Sequence, residues 1–180
     1  DTSGYDAGSD KEQQLVLKGT VEMPEGVDNL GGLSLVPELS VTVKQPVSIT
    51  KTMEAEDAAL TSPAKVVNRS DASGGKKVGT IDNQEAKVTF TLHAEKAGRY
   101  RIDVYSGSGS DQKNASHMYY VNGDMENAKI LKYQAKGWDT WTAYPIEVEL
   151  KEGLNTLTFT HSGQASSFSE LDKIVFYREN

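Results

Sequence analysis

The chain has 180 residues, a formal charge of −7 from 19 basic and 26 acidic side chains, sixteen glycines and no cysteine. The missing cysteines exclude disulfides, thiolate catalysis and cysteine zinc sites, though not secretion; the absence of any basic cluster argues against a nucleic-acid partner. No apolar run approaches the ~18 residues a membrane span needs, so no membrane insertion is expected; no signal peptide is visible at Asp1, which reads as an internal cut in a longer chain, and such a cut would hide any targeting signal.

Residues 1–46 alternate like a strand at Gln13–Val21, turn at Pro24–Asn29 and alternate again at Leu39–Val43. Two or three strands bury little core by themselves. The segment is therefore a packed extension or the tail of a further domain, with its boundary at Gln45-Pro46, where proline interrupts strand pairing. Residues 47–180 form the main domain. Its first element, Met53-Glu54-Ala55-Glu56-Asp57, reads as a strand whose period of two puts Glu54 and Glu56 on one face. The stretch Met53–Leu60 also has some helical preference, about two turns of it.

Further strands follow by alternation. Their inward residues are Val88, Phe90 and Leu92; Tyr100, Ile102 and Val104; Ile146, Val148 and Leu150; Leu157 and Phe159; Ile174 and Phe176. Turn signals separate them at Ser73-Gly74-Gly75, Ala97-Gly98, Asn122-Gly123, Glu152-Gly153 and Ser162-Gly163. No segment carries a sustained helical stripe. The pattern predicts an all-β fold, a two-sheet antiparallel β-sandwich.

Neighbouring carboxylates on one face repel unless something positive lies between them. Asp172, in Leu171-Asp172-Lys173-Ile174, sits in another short strand. If the first and last strands of the sandwich pair, Glu54, Glu56 and Asp172 converge as hard oxygen ligands, which suits calcium better than zinc. The alternative is that both glutamates face water on an edge strand.

Residues 50–178 resemble carbohydrate-binding modules of families 6 and 35, which are jelly-roll sandwiches. The resemblance rests on motifs in order: Met53-Glu54-Ala55-Glu56, Ala72–Gly79, Ala97-Gly98-Arg99-Tyr100, Val121-Asn122-Gly123, Gly137-Trp138-Asp139-Thr140-Trp141, Glu152–Leu157 and Leu171-Asp172-Lys173-Ile174. Residues 1–46 resemble the C-terminal part of a bacterial immunoglobulin-like repeat, on Leu17-Lys18-Gly19-Thr20, Met23–Val27 and Val41-Thr42-Val43. The first resemblance implies a structural calcium held by Glu54, Glu56 and Asp172, with backbone carbonyls near Gly75–Lys77 (Lys76 among them) completing the shell.

It also implies a sugar site in a loop-built cleft, with Trp138 as an aromatic wall; Trp141, at the start of a strand, reads as core. Two positions depart from the family pattern. Thr80 stands where a second aromatic residue is common, and Glu170 where an asparagine is common. Tyr105, Asn114 and Tyr133 are further sugar-contact candidates near these loops. Against catalysis stand the scattered histidines His93, His117 and His161 and the absence of hydrolase motifs.

The expected function is thus a non-catalytic, calcium-stabilised carbohydrate-binding module. Its partners would be an oligo- or polysaccharide and the catalytic domain of the same parent chain, a secreted or cell-surface bacterial glycoside hydrolase. The alternative is a structural spacer or protein-interaction module that has lost sugar binding.

Overall fold

A computed structural model of the chain describes residues 13–18, 38–43 and 51–178. The chain divides into two compact units, residues 1–47 and 48–179. In the first, β1 (Gln13–Lys18) and β2 (Glu38–Val43) pair antiparallel with Gln13 opposite Val43. The turn expected at Pro24–Asn29 and the boundary at Gln45-Pro46 lie outside the described residues.

The second unit is an all-β sandwich of two sheets. One sheet has the order β10-β9-β12-β7-β4. It comprises β4 (Ala59–Thr61), β7 (Lys87–Ala94), β9 (Ser116–Val121), β10 (Lys129–Lys132) and β12 (Gly153–His161). The other has the order β11-β8-β13-β6-β5, with β3 also paired to β13. It comprises β3 (Lys51–Glu54), β5 (Lys65–Asn68), β6 (Lys76–Gly79), β8 (Gly98–Ser108), β11 (Gly137–Leu150) and β13 (Glu170–Arg178). The first strand of the sandwich does pair with the last, Glu54 lying opposite Lys173.

The alternation read from the sequence has its cause in this layering. Each antiparallel sheet has an inner face on the core and an outer face that is mostly solvated, so every second residue turns inward. Val88, Phe90 and Leu92 of β7 meet Ile102 and Val104 of β8, Leu157 and Phe159 of β12, and Ile174 of β13 in one buried cluster. Phe90 and Phe159 pack edge to face with centroids 6.1 Å apart. Each such side chain contributes roughly 1.5–3 kcal/mol on burial.

The Asn122-Gly123 turn forms as expected between β9 and β10. Both residues take positive φ, 51° and 76°, and the Asp124 N–H donates to the Val121 carbonyl at 3.0 Å. A turn with positive φ at both central residues suits asparagine and glycine best.

One local expectation is corrected. The strand Met53–Asp57 stops at Glu54, and Ala55–Asp57 form a single 3-10 turn, not two helical turns. Ala55 is fully buried, and its carbonyl accepts the Ala58 N–H at 3.2 Å. The buried methyl anchors the turn in the core, so Glu54 and Glu56 do not share a pleated face.

Candidate functional site

A different device still brings the carboxylates together. The Ser73–Gly75 turn lies before β6, with Gly74 at φ 63°. Three acidic side chains converge on it. Asp172 accepts the Ser73 N–H at 2.7 Å, and Glu54 accepts the Ser73 hydroxyl at 2.9 Å. A Cβ on Gly74 would lie 3.0 Å from a Glu56 carboxylate oxygen, so a side chain there would crowd the cluster.

Asp172 is buried at a register shift in β13, between Leu171 and Lys173. Burial pushes its carboxyl above the usual range, the Ser73 hydrogen bond opposes the shift, and the Glu54 and Glu56 charges push it up further. The remaining oxygens, Glu54 Oε2 and Glu56 Oε2, are buried with no hydrogen-bond partner. Unpartnered buried carboxylate oxygens are costly unless a cation meets them. One cation is close: the Lys173 ammonium donates to the Ser73 hydroxyl at 3.1 Å and lies over the Tyr105 ring at 5.1 Å.

Among the described residues, no group of three or more His, Cys, Asp or Glu side chains is placed to hold a metal ion. Any ion here therefore needs oxygens beyond the carboxylates. The Lys76 side chain is exposed, which leaves only its backbone carbonyl as a donor.

The aromatic cleft is a second, separate locus. Trp138 lies in β11, not in a loop as the sequence suggests. The β11–β8 register slips between Gly137 and Thr142, so both tryptophans sit in an irregular stretch. Trp138 is 36 % exposed. Its ring rests on Gly109, where a Cβ would come within 2.5 Å of the indole nitrogen; only glycine permits that approach. Trp141 covers Gly107, with a ring carbon 3.1 Å from where a Cβ would stand. The Trp141 N–H is buried and lacks an aligned partner, although Asp71 is near enough to feel it.

Glu170 opens β13 directly opposite Gly107. Its carboxylate pairs with Lys77, a contact without the alignment of a hydrogen bond. Thr80, the first residue after β6, is in a left-handed conformation at φ 60°. Arg69 donates to Asp71 at 2.7 Å, and that bond holds the Asp71 carboxyl below the usual range. Glu170 and Asp139 are close enough to raise Arg69 further.

The structure thus sets Lys77 and Arg69 beside Glu170 and Asp71 beside Arg69, three residues the sequence does not single out, and it leaves Trp141, expected in the core, only partly buried near Asp71. One signal points to Lys77: a carboxylate at an amide's place in a sandwich edge calls for a cation beside it.

Other candidates fall elsewhere. Tyr105 lies under Lys173, beside the carboxylate cluster. The Asn114 amide donates to the Ala165 carbonyl at 2.8 Å and so fastens one loop to another. Tyr133 is buried, which corrects its expected place at the sugar surface. Its hydroxyl bonds His117 Nδ1 at 2.9 Å, and its ring packs against Tyr144 at 4.8 Å.

A serine–histidine pair bears on catalysis. His161 Nδ1 accepts the Gly163 N–H at 3.1 Å, so the ring proton sits on Nε2 and is donated to Ser167 Oγ at 2.8 Å. Ser167 passes its own proton to the Gln164 carbonyl at 2.6 Å. A nucleophile's base must accept from the hydroxyl. This pair runs the other way and is structural.

No family model matches the chain. It is 29% identical over 117 residues to an isomaltosyltransferase of Sporosarcina globispora, an alignment covering 63% of this chain and 10% of that protein. It is also 29% identical over 142 residues to a 1,6-alpha-glucosyltransferase of the same organism, covering 74% of this chain and 11% of the other. The chain therefore spans about a tenth of the length of these curated relatives. Among solved structures it matches a family 35 carbohydrate-binding module from Clostridium thermocellum with a TM-score of 0.64 and 27% identity, over 71% of this chain and 98% of that one. In its fold, the chain's β-sandwich is similar to that family 35 carbohydrate-binding module.

Proposed function

We propose that the sandwich is a non-catalytic, calcium-stabilised module that holds an α-linked glucan close to the catalytic domain of a larger secreted or cell-surface bacterial enzyme. The half-exposed Trp138 ring carries this reading. An indole held in place by Gly109 and flanked by charged and polar groups offers a flat apolar surface for the C–H face of a sugar ring. The names of the curated relatives, which act on isomaltosyl and 1,6-linked glucosyl units, favour glucose in α-1,6 linkage. Within the cleft, Trp138 stacks on the ring while Asp71, Asp139 and Thr80 supply groups for its hydroxyls.

Calcium fits the other locus. Glu54, Glu56 and Asp172 would hold it together with carbonyl oxygens of the Ser73–Lys76 turn, and the two partnerless carboxylate oxygens would gain a ligand. The ion would tie β3 to β13 and do no chemistry.

Calorimetric titration with isomalto-oligosaccharides tests the sugar reading. Trp138→Ala is expected to weaken binding about tenfold or more, since a stacked aromatic is worth roughly 1 kcal/mol beyond its buried area, with the melting temperature nearly unchanged. Wild-type strength in that variant would remove Trp138 from the site. Chelation tests the calcium reading. An ion present at about 100 times its Kd adds ~2.7 kcal/mol, so EGTA should lower the melting temperature by several degrees and restored calcium should reverse the drop. An unchanged melting temperature refutes the assignment.

The second reading, a spacer that has lost sugar binding, draws on one observation: the Glu170 carboxylate is already engaged by Lys77. A folded, calcium-loaded protein that binds no glucan would favour it.

A further inference from the structure

Glu170 lies opposite Gly107, against which Trp141 and the Trp138 carbonyl rest, and its ion pair with Lys77 has no part in stacking a neutral sugar. The Lys77 side chain is 8% exposed and that of Glu170 is 17% exposed. An ammonium so far from water needs an anion beside it. β13 supplies that anion from a position more than ninety residues later in the chain. Gly79 leaves the space: a Cβ there would stand 3.1 Å from Glu170 Oε1 and 3.9 Å from Lys77 Nζ. Arg69, which feels the Glu170 charge, pairs with Asp71 nearer the surface. Lys77 and Arg69, which both lie near Glu170, are therefore each met by a carboxylate of the chain itself.

We propose that Glu170 is a built-in counter-ion that reserves the cleft for uncharged sugars, and that Lys77 becomes a receptor for a sugar carboxylate once Glu170 is neutralised. This rests on the Trp138 cleft being the sugar site. An acidic sugar entering the native cleft meets the Glu170 carboxylate, and like charges side by side cost affinity. Glutamine has the same shape and keeps one acceptor oxygen but carries no charge. Lys77 is then left without its partner and can form a charge-assisted hydrogen bond to an incoming carboxylate.

The test titrates wild type, Glu170→Gln and the double variant Glu170→Gln with Lys77→Met, using isomaltose and glucuronate. Glucuronate is expected to bind Glu170→Gln at least about tenfold more tightly than wild type, in line with removal of a like-charge contact, and the second substitution should abolish the gain. A folded Glu170→Gln protein with no gain overturns the proposal. If that variant does not fold, wild type decides. It is expected to bind the uncharged methyl ester of glucuronic acid at least about tenfold better than free glucuronate; equal binding of the two, or binding of neither, overturns the proposal. The glucan reading fails separately. Gain of glucuronate without any wild-type binding of isomaltose supports the counter-ion and refutes the glucan; isomaltose binding without the gain does the reverse.

Discussion

Phe159→Ala is expected to cost the sandwich about 3–5 kcal/mol, the usual range for removing a fully buried aromatic ring. Phe159 lies on β12, between β7 and β9, and is completely buried. Two further rings lean on it besides Phe90, Tyr119 at 6.0 Å and His117 at 6.4 Å, and Tyr133 packs against His117 in turn. Truncation leaves a cavity that these rings, fixed by their own strands, cannot collapse to fill. For a domain of this size the cost corresponds to a fall in melting temperature of roughly 10–20 °C. Leu154→Ala, on the same strand but 65% exposed, should change stability by less than about 0.5 kcal/mol. Urea unfolding of both variants checks the contrast; a Phe159→Ala cost below about 1 kcal/mol would show that the two sheets are not locked through this residue.

The second large effect is loss of stability in acid. His117 is fully buried, with Nε2–H donating to the Ser169 carbonyl at 3.2 Å and Nδ1 accepting from the Tyr133 hydroxyl. Burial pushes its folded-state pKa from 6.5 down to about 3, only partly opposed by the Ser169 bond. Between those values the unfolded chain holds a proton that the folded chain does not. Stability therefore rises with pH across the window, is fully present above pH 6.5, and drains away as the pH falls towards 3. The slope approaches ~1.4 kcal/mol per pH unit from this one residue.

His161 acts in the same direction, since burial lowers it too. Asp172 acts oppositely. Its folded pKa is raised, so its contribution is greatest below the unfolded carboxyl pKa and is lost as pH rises through the folded value. His117→Gln should flatten the slope between pH 6.5 and 3, whatever it does to absolute stability. Denaturant titrations at several pH values measure this, and an unaltered slope in the variant would assign the acid lability elsewhere.

Both predictions involve residues that the sequence treats unequally. Phe159 is legible because β12 alternates and its inner face has a fixed period. His117 is not, because its burial depends on Tyr133, sixteen positions away, and on Ser169, far along the chain. The carboxylate cluster was half legible. Glu54, Glu56 and Asp172 do gather, but through a 3-10 turn and the Ser73–Gly75 loop, and alternation carries no signal for either. In the cleft, Trp138 stands out by type and motif. Arg69, Asp71 and Lys77 do not, since charged residues around a glycine-rich turn look like solvated surface until β13 brings Glu170 against them.

The position of β13 has a consequence for biosynthesis. Residues 170–178 are hydrogen-bonded to β3, β6 and β8 in the middle of their sheet. They are also the last strand of the sandwich to leave the ribosome. Until they emerge, β8 and β11 can pair as one ribbon and β5 and β6 as another, but β3 has nothing to join, the two ribbons stay apart, and the inner face of that sheet stays open. The module must therefore complete its fold after its own synthesis, through pairings of high sequence separation that form slowly. A nascent chain of this kind remains exposed to chaperones and proteases until its final strand inserts.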